Sequence, residues 1–206
     1  DFAFYIAYGV GSLIYFLMSM SVGDPLNKIG YKNGLVLGLV ISAIGALLFV
    51  PAVMLNQYLF FLIGLFVIAF GFSLLQIVAN PFVINLGDPA KGSFRLNLAG
   101  SINSLGTSLG PVLFAFALFG SANSSAADKL GIDAIKVPFI ILSGLLLFMA
   151  VFLKMSKLPM IQNDEKQESK LGALKYPQLV LGSLAIFIYV GVEVTIGSNL
   201  SALIGS

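Results

Sequence analysis

Side chains that can donate and accept hydrogen bonds interrupt an otherwise apolar stretch of the chain, from Gly71 to Pro111. They are the amides and the hydroxyl of Gln76, Asn80, Asn97, Asn103 and Thr107. Polar groups inside segments this apolar cost free energy unless they have partners or a function. Such amides can bind the hydroxyl groups of a polar ligand, or they can hold neighbouring helices together. The stretch is therefore the main functional clue in the sequence.

A carboxylate is the second clue. Apart from the terminal Asp1, Glu193 is the only acid deep within an apolar segment of the sequence. A charge at the centre of a bilayer costs about 2.5–3.5 kcal/mol on insertion scales, so this glutamate favours its protonated form or faces a wet cavity. Either state suits a proton carrier. A protonated glutamate that bonds a neighbouring helix is the structural alternative.

The absence of two reactive residue types limits the chemistry that this sequence can perform. The chain has no Cys and no His, which removes disulfides, thiolate chemistry and the commonest metal and proton-shuttle ligand. We therefore expect neither a metal site nor a cofactor. One deep acid provides no pair of groups to divide acid and base roles, so an intramembrane enzyme is rejected. A net charge of +2 gives no basis for nucleic-acid binding.

The elements that must position these residues are transmembrane helices. The mean hydropathy is +1.00, and 10% of residues are charged, against about 25% in soluble proteins. Apolar runs of about 18 or more residues between short polar loops predict an all-α integral membrane protein in a lipid bilayer. The predicted spans are Asp1–Val22, Leu35–Leu55, Tyr58–Leu86, Leu96–Gly120, Val137–Met155 and Gln178–Ile204. Since the first and last spans lie at the chain ends, we expect a fragment of a longer protein.

Basic residues predict the orientation of these spans. The loops after the first, third and fifth spans hold nine Lys and Arg residues, whereas the other loops hold two. The first set is therefore cytoplasmic. The longest loop contains the hydrophilic sequence NDEKQESK, and this composition is typical of a solvated linker. We predict an amino-terminal bundle at 1–157, a cytoplasmic loop at 158–176 and the first helix of a second bundle at 177–206.

The first cytoplasmic loop reads GDPLNKIGYKNG and places glycines and bases at Gly23, Lys28, Gly30 and Lys32. This spacing resembles the G-x-L-x-D-R-x-G-R-R loop of the major facilitator superfamily. An ordinary positive-inside turn is the alternative. Asn27 stands at the motif's Asp position and Pro25 at its Leu position. The resemblance implies a gating loop whose conformational latch is weakened or replaced.

Further motifs resemble the fucose, glucose and galactose symporter family within that superfamily. They are ANPFV with a following LG, then RLNLA, NSLG and YVGVEVTIGS. The resemblance aligns the six spans with helices two to seven of a twelve-helix transporter, so the fold is a partial one. It implies a monomeric monosaccharide symporter of the bacterial inner membrane, which is coupled to protons or alternatively to sodium and works by alternating access. Efflux or uptake of another small polar metabolite on the same fold remains the alternative.

Two amides on the third predicted span share a helix face, because Gln76 and Asn80 are four residues apart. Pro81 lacks an N–H and should kink the helix, freeing the Ile77 carbonyl beside Asn80. Interhelical bonding is the structural alternative. By resemblance, fucose-type relatives have a glutamate at Gln76 that takes part in proton coupling. Since glutamine cannot titrate, we expect Glu193 to take over this role.

The fourth predicted span carries a single stripe of polar or small residues, Asn97, Gly100, Asn103, Thr107 and Gly110. A polar stripe in lipid must face protein or water, so it lines a cavity or a close helix contact. By resemblance, Asn103 is a sugar-binding position, and Gly100 stands where the family usually has Gln. Tyr189, one turn before Glu193, can stack on a sugar ring. The predicted substrate-binding set is Gln76, Asn80, Asn103, Thr107 and Tyr189.

Overall fold

A computed structural model describes residues 2–119, 132–159 and 172–204 of the chain. The described residues are almost wholly helical and contain no strand, which confirms the all-α class. The helices are α1 Phe2–Val22, α2 Pro25–Ile29, α3 Tyr31–Leu47, α4 Phe49–Leu55, α5 Tyr58–Asn85, α6 Gly92–Phe119, α7 Lys136–Met155 and α8 Pro177–Ile204. Short 3-10 turns occupy Pro89–Lys91, Ile132–Ile135 and Gly172–Lys175.

Five segments among the described residues are long and apolar enough to cross a membrane. They are Phe4–Ser21, Tyr31–Leu55, Tyr58–Asn85, Lys136–Met155 and Pro177–Gly197. Helix α6 overlaps the remaining predicted span but begins four residues earlier, and its 28 residues extend about 42 Å at about 1.5 Å per residue. Its length is ample for a bilayer, whereas its amides and hydroxyls make it the least apolar of the long helices. The molecule is a multi-pass integral membrane protein.

The second predicted span differs from the structure at its start and in its middle. Its helix begins at Tyr31 rather than Leu35, directly after Gly30, whose φ of +81° is suited to glycine. It is then interrupted at Leu48, between α3 and α4. Pro51 explains the interruption, because its ring would clash with the Leu47 carbonyl and it has no N–H to donate.

Helices α1, α3, α5 and α7 form the packed interior, in which α3 and α5 approach each other very closely. A Cβ built on Gly71 of α5 would lie 2.2 Å from Ser42 Oγ and 2.7 Å from Gly38 O of α3. Similarly, a Cβ on Gly45 of α3 would lie 2.5 Å from the backbone nitrogen of Ile68. Small residues therefore bring the two backbones into contact, as is usual where membrane helices pack tightly.

Buried serines link the same helices by hydrogen bonds. Ser42, Ser73 and Ser143 are the buried polar residues among those described, and each is at most 1% exposed. Each donates to a backbone carbonyl of a neighbouring helix: Ser42 to Ile68 (3.3 Å), Ser73 to Tyr8 (3.3 Å) and Ser143 to Ala43 (3.0 Å). The interior thus follows the rule that buried polar groups have partners.

The chain divides into two compact units, Asp1–Asp164 and Glu165–Ser206. The first unit contains α1 to α7, and α8 is the long helix of the second. The division falls within the predicted linker at 158–176, of which residues 160–171 lie outside the described residues. The predicted domain limits themselves remain a prediction.

Candidate functional site

Helix α5 has a buried face and an open face, and its amides lie on the open one. Val78 is fully buried and Phe82 nearly so, where they pack with Tyr31 of α3. Gln76 and Asn80 are both exposed. Neither amide makes a hydrogen bond with another described residue, so each retains both donor and acceptor capacity for a ligand.

Pro81 follows Asn80 directly, and α5 continues past it to Asn85. The Asn85 Nδ2 atom donates to the Pro81 carbonyl at 2.8 Å, which supports the last turn of the helix. Proline has no N–H, so the Ile77 carbonyl loses its helical donor. That carbonyl lies within one turn of both amides. The predicted kink at Pro81 remains a prediction.

On α6, hydroxyl side chains already donate hydrogen bonds, whereas the amide of Asn103 does not. Thr107 Oγ1 donates to the Ser104 carbonyl at 2.9 Å, and Ser101 Oγ donates to the Asn97 carbonyl at 2.9 Å. By contrast, the amide of Asn103 is exposed and makes no hydrogen bond with another residue of the described part. Thr107 therefore offers a ligand chiefly an acceptor, whereas Asn103 offers both groups.

The glycines of the α6 stripe, and Gly106 four residues before Gly110, are open in the described structure. A Cβ at Gly100, Gly106 or Gly110 would meet no atom of the described chain within 4 Å. The close helix contact proposed as an alternative for these glycines is thus not made by the described residues. The predicted set on α5 and α6 faces open space, in contrast to the glycines of the interior.

Arg95 closes the turn between α5 and α6. Its guanidinium donates to the backbone carbonyls of Val83, Ile84 and Asp88. The sequence reading counted Arg95 only as a positive charge on the cytoplasmic side. A base in the first turn after a tight inter-helix connection was the available signal, because the carbonyls at a helix end attract cations.

In the predicted gating loop, both glycines adopt positive φ, +84° at Gly23 and +81° at Gly30. Between them, Asp24 caps α2 by accepting a hydrogen bond from the Leu26 nitrogen at 2.9 Å. The Asp24 carboxylate also accepts a hydrogen bond from the Tyr15 hydroxyl of α1. Sequence reasoning missed Asp24, although an aspartate before a helix that starts with proline is a typical amino-terminal cap.

The loop is also bonded to the carboxyl end of α7. Lys32 Nζ donates to the Ser156 carbonyl at 2.6 Å, and Lys154 Nζ donates to Asn33 Oδ1 at 2.9 Å. A cation at this helix end is favoured by the helix dipole. Lys28 is exposed, in the last turn of α2. Of the two predicted bases, Lys32 thus makes a defined helix contact.

In the second unit, Tyr189 and Glu193 lie one turn apart on α8. Tyr189 is 65% exposed, and Glu193 is exposed as well. Glu193 makes no hydrogen bond with any other described residue. The predicted site residues are thus divided between two units, with the amides on α5 and α6 and the acid and aromatic ring on α8. Within the described residues, no cluster of three or more potential metal ligands occurs.

Residues 2–204 match the sequence model of the Major Facilitator Superfamily. The chain belongs to this superfamily. The resemblance predicted from the sequence is thereby confirmed. The amides of α5 and α6 and the loop Gly23–Gly30 therefore belong to part of a membrane transporter fold.

Individual members of the superfamily are similar over most of the chain. A glucose/galactose transporter of Brucella abortus is 41% identical over 189 residues, covering 90% of this chain and 46% of its own length. An L-fucose-proton symporter of Escherichia coli is 31% identical over 208 residues, covering 90% of this chain and 48% of its own. These relatives are transporters rather than enzymes. The chain spans about half the length of the curated relatives it matches.

A solved member shares the fold. The crystal structure of FucP, a superfamily transporter in the outward conformation, matches with a TM-score of 0.63 and 30% sequence identity. The match covers 89% of this chain and 45% of FucP. The helical arrangement is therefore that of a partial major facilitator fold, as predicted.

Proposed function

We propose that the chain is part of a longer protein that transports a monosaccharide by cation-coupled symport, with two bundles rocking around a site near the bilayer midplane. The observation that carries the proposal is the difference between two groups of polar side chains within the helices. The buried serines all have interhelical partners. The amides of Gln76, Asn80 and Asn103 are exposed and bond no described residue, so they are available to a solute.

The chemistry of these amides suits a sugar. Each sugar hydroxyl is both a donor and an acceptor, and each amide offers the complementary pair of groups. An apolar drug would instead require an apolar pocket, which argues against drug efflux. The Ile77 carbonyl beside the α5 amides, which Pro81 leaves without its helical donor, would add one acceptor, and the ring of Tyr189 would be a further contact for the sugar. The names of the relatives, glucose/galactose transporter and L-fucose-proton symporter, support the same substrate class.

We infer that the driving ion is the proton and that Glu193 carries it. Gln76 cannot titrate, so the amide face has no group that could couple uptake to a proton. Glu193 is an acid on an apolar helix with no hydrogen bond to a described residue, and its protonation neutralises a charge that the bilayer disfavours. The printed name of the Escherichia coli relative includes the proton as its coupled ion. Sodium is the alternative ion.

The remaining roles follow from the same proposal. The loop with Gly23, Lys28, Gly30 and Lys32 would act as the cytoplasmic gate, since it is attached to α1 through Asp24 and to α7 through Lys32. We place the protein in the bacterial inner membrane as a monomer. Open space at Gly100 enlarges the site locally, so the same face could instead take another small polar metabolite.

Uptake by the complete protein tests the proposal. The full reading frame would be recovered, and the purified product would be reconstituted into liposomes with an inward proton gradient. We expect labelled glucose, galactose or fucose to accumulate above its external concentration and an uncoupler to abolish the accumulation. Accumulation that follows a sodium gradient and ignores the uncoupler would reassign the ion. Absence of uptake for all three sugars, with uptake of another polar metabolite, would overturn the monosaccharide assignment.

A further inference from the structure

A single guanidinium connects the two helices that carry the amides. Arg95 lies in the first turn of α6, three residues after Gly92. Its Nε donates to the Val83 carbonyl at 3.0 Å, its Nη2 donates to the Ile84 carbonyl, and its Nη1 donates to the Asp88 carbonyl at 3.1 Å. Two of these acceptors belong to the last turn of α5 and the third to the connecting turn. Arg95 itself is half-buried.

Two of the acceptors, the Val83 and Ile84 carbonyls, are among the last four carbonyls of α5, which have no i+4 donor within the helix. These two carbonyls also lie at the negative end of the α5 dipole, which favours a cation. A guanidinium presents its donors in a rigid planar fork, so three bonds to fixed carbonyls define its orientation. The side chain therefore fastens the first turn of α6 to the last turn of α5 with a defined geometry.

Away from this junction, the ring of Phe114 lies edge-on to Phe139 of α7, with ring centroids 6.3 Å apart. The middle of α6 is otherwise exposed in the described structure. From Asn97 to Leu109, every residue of α6 except Ala99 is exposed. Asn103 is eight residues beyond Arg95, about 12 Å along the helix at about 1.5 Å per residue. A change of about 10° at the junction would thus move Asn103 by about 2 Å. Displacements of about 1 Å are enough to cost large factors in a positioned site.

We propose that Arg95 is a positioning residue for the transported solute, which sets the inclination of α6 against α5 and with it the spacing between Asn103 and the amides of Gln76 and Asn80. Arg95 does not itself contact the solute. This inference rests on the proposed monosaccharide transport. It assigns to the turn between α5 and α6 a part in substrate affinity, beyond its contribution to topology.

Uptake kinetics of the complete protein in liposomes provide the first test. Arg95→Gln should raise KM for the transported sugar by about tenfold or more, with Vmax per folded molecule within about twofold. Arg95→Lys keeps the charge but not the planar fork, so it should recover part of the lost affinity. Asn85→Ala is the matched control, because it removes a bond in the same turn that lies wholly within α5. Its KM should stay close to that of the wild type.

A covalent replacement for Arg95 distinguishes positioning from any effect of the charge. A Cβ on Gly92 would lie 3.1 Å from the Cγ2 atom of Ile84, and the 206 residues of this sequence contain no cysteine. Ile84→Cys with Gly92→Cys therefore places a disulfide across the same junction. In the Arg95→Gln background, oxidation should return KM to within about threefold of the wild type, and reduction should raise it again.

A measurement without sugar keeps the inference testable if uptake fails. Spin labels at Leu59→Cys and Leu113→Cys, near the distal ends of α5 and α6, report the angle between the helices from exposed positions (61% and 66%). Arg95→Gln should broaden or shift the distance distribution, and Asn85→Ala should leave it unchanged. If the wild type transports no sugar, the proposed function fails while this distance still tests Arg95. A wild-type KM in Arg95→Gln, or an unchanged distance distribution, would overturn the positioning role.

Discussion

Helix α5 carries two kinds of polar residue within a single turn. Ser73 is 1% exposed and donates to the Tyr8 carbonyl of α1. Gln76, three residues later, is exposed and bonds no described residue. The two side chains face different environments: a packed interior of glycines and serines on one side, and an open face of amides on the other.

The difference shows that polarity in a membrane helix does not by itself locate a site. Serine hydroxyls at close helix contacts donate hydrogen bonds to backbone carbonyls of the neighbouring helix, and these bonds stabilise the packing. Long amides that remain without partners beside a proline have no structural task in the described chain. A hydrogen-bond account of each polar group therefore separates the interior from the candidate site, and variants on either side of the division should fail in different ways.

The largest effect is expected at Glu193, whose carboxylate also bonds no described residue. Glu193→Gln keeps the size of the side chain but cannot release a proton, so uphill sugar accumulation should be abolished. Exchange of labelled for unlabelled sugar needs no net proton movement and should continue. Both are measured on one preparation of the complete protein in liposomes, with exchange as the internal control. Uphill accumulation at the wild-type level would remove Glu193 from the coupling role.

On the interior side, Gly71→Val should be the most damaging change. The added Cβ would lie 2.2 Å from Ser42 Oγ and 2.7 Å from the Gly38 carbonyl, so α3 and α5 must separate. We expect a loss of about 3 kcal/mol or more, seen as a lower melting temperature in detergent and little folded protein. Gly144→Val is the control, because a Cβ there meets no described atom within 4 Å. Equal stability of the two variants would contradict the close contact.

On the open side, Asn103→Ala should have the opposite signature. Removing an amide that binds a sugar hydroxyl should raise KM by about thirtyfold, corresponding to about 2 kcal/mol, since the sugar hydroxyl loses its partner. The melting temperature should hardly change, because no described residue depends on this amide. A drop in stability without a change in KM would show that Asn103 stabilises the helix packing, as the buried serines do, and would contradict its role in binding sugar.

Much of this architecture could be predicted from local patterns. Hydropathy located the spans to within a few residues, because the bilayer imposes a minimum length on each helix separately. The interruption at Leu48 was missed although Pro51 was visible. Pro51 interrupts the helix through one local steric clash, and the mean hydropathy of the whole segment carries no information about such a clash.

The partners of the polar residues could not be predicted in this way. Lys32 and Ser156 are 124 positions apart, and Ser143 and Ala43 are 100 apart. Bonds of this kind depend on which helices pack together, and no periodicity within one helix specifies that. The residue type and its stripe showed that Asn103 required an explanation, whereas Ser143 was identified as a polar contact only by the packing.

The smallest effect, and the finest test of the division, is expected for Ser143→Ala. Its hydroxyl bonds the Ala43 carbonyl at 3.0 Å inside the bundle, and interhelical bonds of this type contribute about 0.6 kcal/mol on average. We therefore expect a loss of stability of about 0.5–1 kcal/mol and an unchanged KM. Thermal unfolding and uptake are measured on the same preparation as for Asn103→Ala. Asn103→Ala should thus change KM and not stability, whereas Ser143→Ala should change stability and not KM. A raised KM for Ser143→Ala would show that a packing change in the interior alters the open face.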